Sequence, residues 1–275
     1  MRGSQDSTSC GAANKLAPVS ETEHELTGGN STAGVVRIGE TVRKPWHAGT
    51  PAVIEFMGAI RSAGVDVPEV LGRDDQGRQV LELLPGNLAM DLEPLSVRDL
   101  ARIGGIVRAI HDASEGFVPS VPAHWESVTA SPGDDLICHG DLAPWNLILG
   151  DRWVFIDWDG SAPSTRLWDL AYAAQSFTLN HPDVAPEHAA ERLAAFAAGY
   201  GADAALRAAL PSAMVERVAA MYDLLRSSNA TGVQPWAAMY LNGHGAHWRA
   251  TLEYVESHHG LWRHALAADA TGQAR

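Results

Sequence analysis

The chain has 275 residues, 46% of them hydrophobic and 19% charged, with 33 Asp+Glu against 20 Lys+Arg and a formal charge of −13 at pH 7. That length allows one large or two modest domains around a sizeable core, and the composition excludes wholesale disorder. The negative charge excludes unspecific attachment to nucleic-acid phosphates or anionic lipid. Two cysteines, Cys10 and Cys138, make neither a CxxC pair nor a disulfide framework. No stretch reaches the 18 apolar residues of a membrane span, so the expected setting is the cytoplasm, as a monomer or homodimer.

Residues 1–24 are rich in Ser, Gly, Ala and Thr without apolar periodicity and read as a flexible tail. Val35–Ile38 and Thr41–Lys44, joined by Gly39-Glu40, read as a hairpin preceded by a glycine-rich turn. Thr50-Pro51 then supplies a cap and a proline at the start of a helix of about thirteen residues, with Val53, Ile54, Met57 and Ile60 at helical spacing and Gly64 as its stop. Val70–Arg73 and Gln79–Leu84, joined by Asp74-Asp75-Gln76-Gly77, read as a second hairpin ending at Pro85-Gly86. Residues 26–84 thus give β-β-β-α-β-β. Beyond them, Ser96 opens a helix with Leu100, Ile103, Val107 and Ile110 on one face, and the chain from Asp183 onward is Ala-rich with helical period.

Between those helical regions lies one short β-rich stretch, and the acids gather there. From His111 to Gly160 there are nine acids and one base, Arg152, which is −8 of the −13. A solvated face is the ordinary reading of such a run, but the spacing is specific. His139-x-Asp141-Leu142-x-x-x-Asn146 fits the kinase catalytic-loop pattern H-R-D-L-x-x-x-N at every fixed position except that Gly140 replaces Arg. Eleven residues after Asn146, at the end of an apolar strand, comes Asp157. Phosphoryl transfer requires a hard cation held by oxygen ligands, which Asn146 and Asp157 can supply once a tight hairpin sets them side by side. Asp141 on the same loop can orient an acceptor hydroxyl and take its proton.

His139-Gly-Asp-Leu-Ala-Pro-Trp-Asn146 followed by Phe155-Ile-Asp157-Trp-Asp159 resembles the signature of the aminoglycoside phosphotransferase family. The resemblance runs from about residue 26 to 265, takes in Trp168-Asp169-Leu170-Ala171 and the Leu100–Asp112 helix, and is nearest to an actinobacterial-type antibiotic phosphotransferase. It implies an α+β, bilobal protein-kinase-like fold: a tail at 1–24, a nucleotide-binding lobe at 25–86, and a mainly helical lobe at 87–275 holding the catalytic loop and substrate pocket. By the same resemblance Asp141 is the catalytic aspartate, Asn146 and Asp157 hold Mg²⁺, and Lys44 touches the phosphates of ATP or GTP, a surface strand lysine being the alternative. Glu55 is the nearest candidate partner for Lys44, at a shorter separation than the pattern has. Gly29 and Ser31 would cover the phosphates, and the segment from Glu82 to Leu84 would be the hinge that meets the purine. His139 and Asp169 would brace the loop, and a helix-dipole acid is a further role for Asp169.

Gly140 and the lack of Ala-Pro-Glu after Asp157 disfavour a protein substrate, leaving a hydroxylated small molecule, an antibiotic by the resemblance. Asp159, Trp158 and Trp145 are the candidate pocket residues. Seven of nine tryptophans follow His139, either as core or as the wall for a flat or apolar substrate such as a nucleoside or macrolide. A metabolic kinase for an amino alcohol or sugar, and a ligand-sequestering protein without chemistry, are the alternatives. The histidines from His244 onward lack the carboxylate of an H-E-x-x-H site and read as surface or core.

Overall fold

The computed structural model describes residues 22–26, 34–120 and 123–268. The expected phosphate-covering Gly29 and Ser31, and most of the expected tail, lie outside the described residues.

A five-stranded antiparallel sheet, in the order β1-β2-β3-β5-β4, opens the chain: β1 His24–Glu25, β2 Val36–Ile38, β3 Thr41–Lys44, β4 Val70–Arg73 and β5 Gln79–Glu82. The two hairpins of the sequence are its centre, with Lys44 opposite Gln79 and Val42 opposite Leu81. Helix α1, Thr50–Ser62, crosses between β3 and β4 and buries Val53, Phe56, Met57 and Ile60. Its N-cap is Gly49, not Thr50, whose hydroxyl instead accepts the His47 N–H at 2.9 Å. Phe56 meets Trp158 edge-on at 5.8 Å, so α1 ties this sheet to the acid-rich stretch.

The rest of the chain is mainly helical. Helix α2, Val97–Ser114, starts at a capping box in which Ser96 and Asp99 satisfy each other's backbone N–H groups. Two small sheets follow from the acid-rich stretch: β6 Asn87–Leu88 pairs with β8 Leu147–Leu149 and β8 with β9 Trp153–Phe155, while β7 Leu136–Cys138 pairs with β10 Ala162–Ser164. Helices α3 Arg166–Thr178, α4 Pro186–Tyr200 and α5 Ala204–Thr231 pack behind them, and α6 Trp236–Met239, α7 Gly245–Ser257 and α8 His259–Ala268 complete the chain. Between α6 and α7 the helix breaks at Gly243, whose φ of 104° only glycine adopts freely. The contact of α2 with α4 is made by backbone: a Cβ on Gly104 would stand 2.2 Å from the Phe196 carbonyl oxygen, and one on Gly199 1.9 Å from that of Ala101. Among the described residues no helix is long and apolar enough to cross a membrane.

Candidate active site

The loop from His139 to Asn146 leaves β7 and returns into β8, and the β8–β9 hairpin then carries the chain to Asp157. The Ile156 N–H donates to the Asn146 carbonyl at 2.8 Å, which sets Asn146 beside the exit of β9. Asp157 takes φ 61° and ψ 59°, a left-handed conformation for a non-glycine residue and the only such case among the described residues. Strain of this kind persists only where the surroundings enforce it. Here a short helical turn, Trp158–Gly160, follows at once, with the Trp158 ring locked between Phe56 and His139 and its Nε1–H given to the Phe155 carbonyl at 2.9 Å.

Lys44 reaches this turn from β3. Its Nζ lies 2.5 Å from Asp157 and 2.7 Å from Asp159, and the side chain is buried. Burial alone would lower the Lys44 pKa, but the two carboxylates outweigh it and raise it. Burial would likewise raise Asp157, and the Lys44 charge and hydrogen bond bring it below the ordinary carboxylate range. Glu55, the expected partner of Lys44, is not bound to it: its carboxylate accepts the Ser120 N–H at 2.7 Å. Asp157 and Asp159 supply the counter-charge instead, because the hairpin delivers them to the end of β3.

Asp141 is held by three side-chain donors. Asn146 Nδ2 donates to Oδ2 at 2.7 Å, Trp145 Nε1 to the same oxygen at 3.3 Å, and the Tyr172 hydroxyl to Oδ1 at 2.8 Å. A carboxylate offers about four acceptor directions, so one stays open, on Oδ1. Burial raises the Asp141 pKa, and the Tyr172 hydrogen bond partly offsets it. Asn146 Nδ2 also donates to the Asp141 carbonyl at 3.0 Å. With both amide hydrogens spent, the amide oxygen is the Asn146 atom left to bind a ligand. That oxygen with the Asp157 carboxylate is a hard-oxygen donor set, which fits Mg²⁺.

The loop itself is braced from behind. His139 is fully buried; its Nδ1 accepts the Asp141 N–H at 3.3 Å and its Nε2–H donates to the Ile156 carbonyl at 3.1 Å. Burial lowers its pKa, which keeps the ring neutral and the tautomer fixed. Asp169 accepts the Gly140 N–H at 3.0 Å on one oxygen and His111 Nε2–H at 3.1 Å on the other, while His111 Nδ1 meets the Tyr200 hydroxyl at 2.8 Å. These hydrogen bonds overcome the cost of burial and lower the Asp169 pKa. Gly140 has φ 83°, and a Cβ there would stand 2.6 Å from the Gly160 carbonyl oxygen. No arginine fits where the kinase pattern has one.

A cavity of about 790 Å³ opens over the loop and is lined by the acids and amide of the loop and hairpin, Asp141, Asn146, Asp157 and Asp159, together with Trp145, Trp168, Tyr172, Trp236 and Trp248. Of the three expected pocket residues, Trp145 and Asp159 line it. Trp158 does not: it is 2% exposed and belongs to the core between α1 and His139, because its apolar ring completes the junction of the lobes. Glu82 turns its carboxylate to Arg152 at 2.5 Å, and Leu84 is half-buried beyond it, both outside the cavity lining. Sequence reasoning missed Tyr172 and Arg217. Tyr172 carried a signal, since it lies three residues after Asp169 on one helix face.

Residues 119–211 match the phosphotransferase enzyme family, and no curated protein matches the sequence. Among solved structures, a choline/ethanolamine kinase family protein from Mesorhizobium loti is similar at 20% identity over 93% of this chain and 95% of that one, with a TM-score of 0.58. A microcompartment-associated aminopropanol kinase is similar at 16% identity over 91% and 94%, TM-score 0.59. Amicoumacin kinase hAmiN, in complex with AMP-PNP, Ca²⁺ and Ami, is similar at 14% over 88% and 90%, TM-score 0.59. The fold is therefore the bilobal, protein-kinase-like one of these small-molecule kinases.

Proposed function

We propose that this protein is a phosphotransferase of the same family, moving the γ-phosphate of ATP or GTP to a hydroxyl of a small molecule. The observation that carries the reading is the Asp141 carboxylate, which lines the cavity and is fixed by Tyr172, Asn146 and Trp145 with one acceptor direction to spare. In this reading the acceptor oxygen bonds to the γ-phosphorus as the bond to the β-phosphate oxygen breaks, the nucleoside diphosphate leaves, and the hydroxyl proton passes to Asp141 Oδ1. Lys44 faces the phosphates, and His139 and Asp169 keep the loop in place. Asn146 and Asp157 would hold Mg²⁺, which when bound neutralises charge on the transferring phosphates.

The acceptor is a hydroxylated natural product, an antibiotic in the narrowest form of the reading. The tryptophans lining the cavity support an acceptor with a flat or apolar part over a polycationic aminoglycoside, because Asp157 and Asp159 already have Lys44 as their partner. The test is expression in a sensitive bacterium, a screen of antibiotic classes for lost potency, and a phosphate-sized mass gain on any hit. Loss of that gain in Asp141→Ala supports the reading; full turnover by that variant refutes it.

A further inference from the structure

Arg217, on α5, is buried at 4% exposure and lines the cavity. Its guanidinium lies over the Tyr172 ring at 4.1 Å and near Trp168 at 5.6 Å. Its one hydrogen bond, from Nη2 to the Gly140 carbonyl, is long at 3.4 Å, and Nη1 is buried with no partner among the described residues. Two carboxylates stand nearby, yet neither pairs with it. Asp169 has both oxygens occupied by the Gly140 N–H and His111, and Asp141 is engaged by Tyr172, Asn146 and Trp145. A buried guanidinium without an ion pair is unfavourable, and burial accordingly lowers its pKa.

An acceptor that enters with a ligand would supply the missing partner. The nucleotide phosphates are assigned to Lys44, which pairs with Asp157 and Asp159 and does not line this cavity, whereas Arg217 lines it, against the Gly140 carbonyl and the aromatic rings of α3. We infer that Arg217 is the specificity-determining residue of the acceptor pocket, and that the acceptor carries a carboxylate close to the hydroxyl that is phosphorylated. A carboxylate matches the planar donor fork of arginine, and the aromatic rings around it admit a flat group beside the acid. This inference rests on the kinase reading for the identity of the pocket, but not for the charge of its ligand.

The probes are a matched pair, N-benzoyl-L-serine and N-benzoylethanolamine, which share an aromatic ring and a primary hydroxyl and differ by one carboxylate. Binding to the full chain is measured by calorimetry without nucleotide, for wild type, Arg217→Met and Arg217→Lys. The wild type is expected to hold the acid at least about tenfold more tightly than the neutral compound, as for a charged hydrogen bond. Arg217→Met should abolish that preference and Arg217→Lys should retain part of it, while the neutral compound changes by less than about twofold. Equal or reversed preference in the wild type, binding of neither compound, or preference surviving in Arg217→Met overturns the inference. Thermal unfolding separates this from a purely structural role: Arg217→Met should melt at or above the wild-type temperature, and a lower one counts against the assignment. Titration of the same samples with Mg-AMP-PNP tests the kinase reading separately, and loss of nucleotide affinity in Arg217→Met would reassign the residue to phosphate.

Discussion

Lys44 Nζ and Asp157 Oδ1, 113 positions apart, meet at 2.5 Å where the end of β3 faces the exit of β9. This ion pair joins the first sheet to the hairpin that follows the candidate catalytic loop, and it is backed by Asp159 on the same ammonium. Its burial makes it more than a surface pair: removing one charge leaves two acids close together in a poorly solvated place.

Lys44→Met is therefore expected to lower kcat/KM for the nucleotide by about 100-fold or more, the scale for losing one preorganised charge donor. Without the ammonium, Asp157 loses the cause that holds its pKa low, so the acid limb of the rate profile should move to higher pH. Steady-state kinetics across pH 4–8 (about four units around the carboxylate and histidine ranges) checks both effects.

The Tyr172 hydroxyl favours the ionised form of Asp141, opposing the burial that raises it. Tyr172→Phe removes that hydrogen bond while keeping the ring between Trp248 and Arg217. Asp141 should then deprotonate at higher pH, and the acid limb of kcat should shift upward with about a tenfold loss of kcat near its old midpoint. An unchanged limb would mean that Tyr172 only packs.

Asp169 closes two buried hydrogen bonds, to the Gly140 N–H and to His111. Asp169→Ala strands both donors and should destabilise the fold by roughly 3 kcal/mol, with the His139–Asn146 loop loosened. The acid dependence has a definite sign. A carboxylate with a depressed folded pKa contributes stability above its unfolded value of about 3.9, and that contribution is lost as pH falls through the folded value. Urea unfolding of wild type should thus weaken below about pH 4 more steeply than that of Asp169→Ala.

How much of this was legible from residues alone follows from the range of the interactions. The hairpins, α1 and α2 rest on local period and caps and form where that pattern places them, and contiguous spacing puts Asp141 and Asn146 on one loop with Asp157 at the exit of the hairpin behind it. Glu55 is expected at Lys44 and Trp158 in the pocket, but tertiary packing gives both other partners: Ser120 for the acid, Phe56 and His139 for the ring. Arg217 lies 77 positions from the carbonyl it touches, and no motif announces it. Gly140 was visible as a departure from pattern, but its reason, the carbonyl of Gly160 behind it, exists only in three dimensions.

The same limit applies to the glycines of α2 and α4, and it sets a test of the fold that avoids the site. Gly104 and Gly105 are adjacent in sequence and look equally replaceable in a helix. Their surroundings differ: a Cβ at Gly104 would meet the Phe196 carbonyl oxygen at 2.2 Å, whereas one at Gly105 finds its nearest atom, the Gly199 carbonyl oxygen, at 3.5 Å. Gly104→Ala must push two helix backbones apart, an overpacking cost of about 1–3 kcal/mol that exceeds the gain of about 0.5–1 kcal/mol from replacing a helical glycine. Gly105→Ala keeps the gain at ordinary van der Waals contact and should be neutral or stabilising by up to about 1 kcal/mol. Urea midpoints at constant m-value should move in opposite directions for the two variants, and a common direction would show that α2 and α4 do not meet backbone to backbone at Gly104.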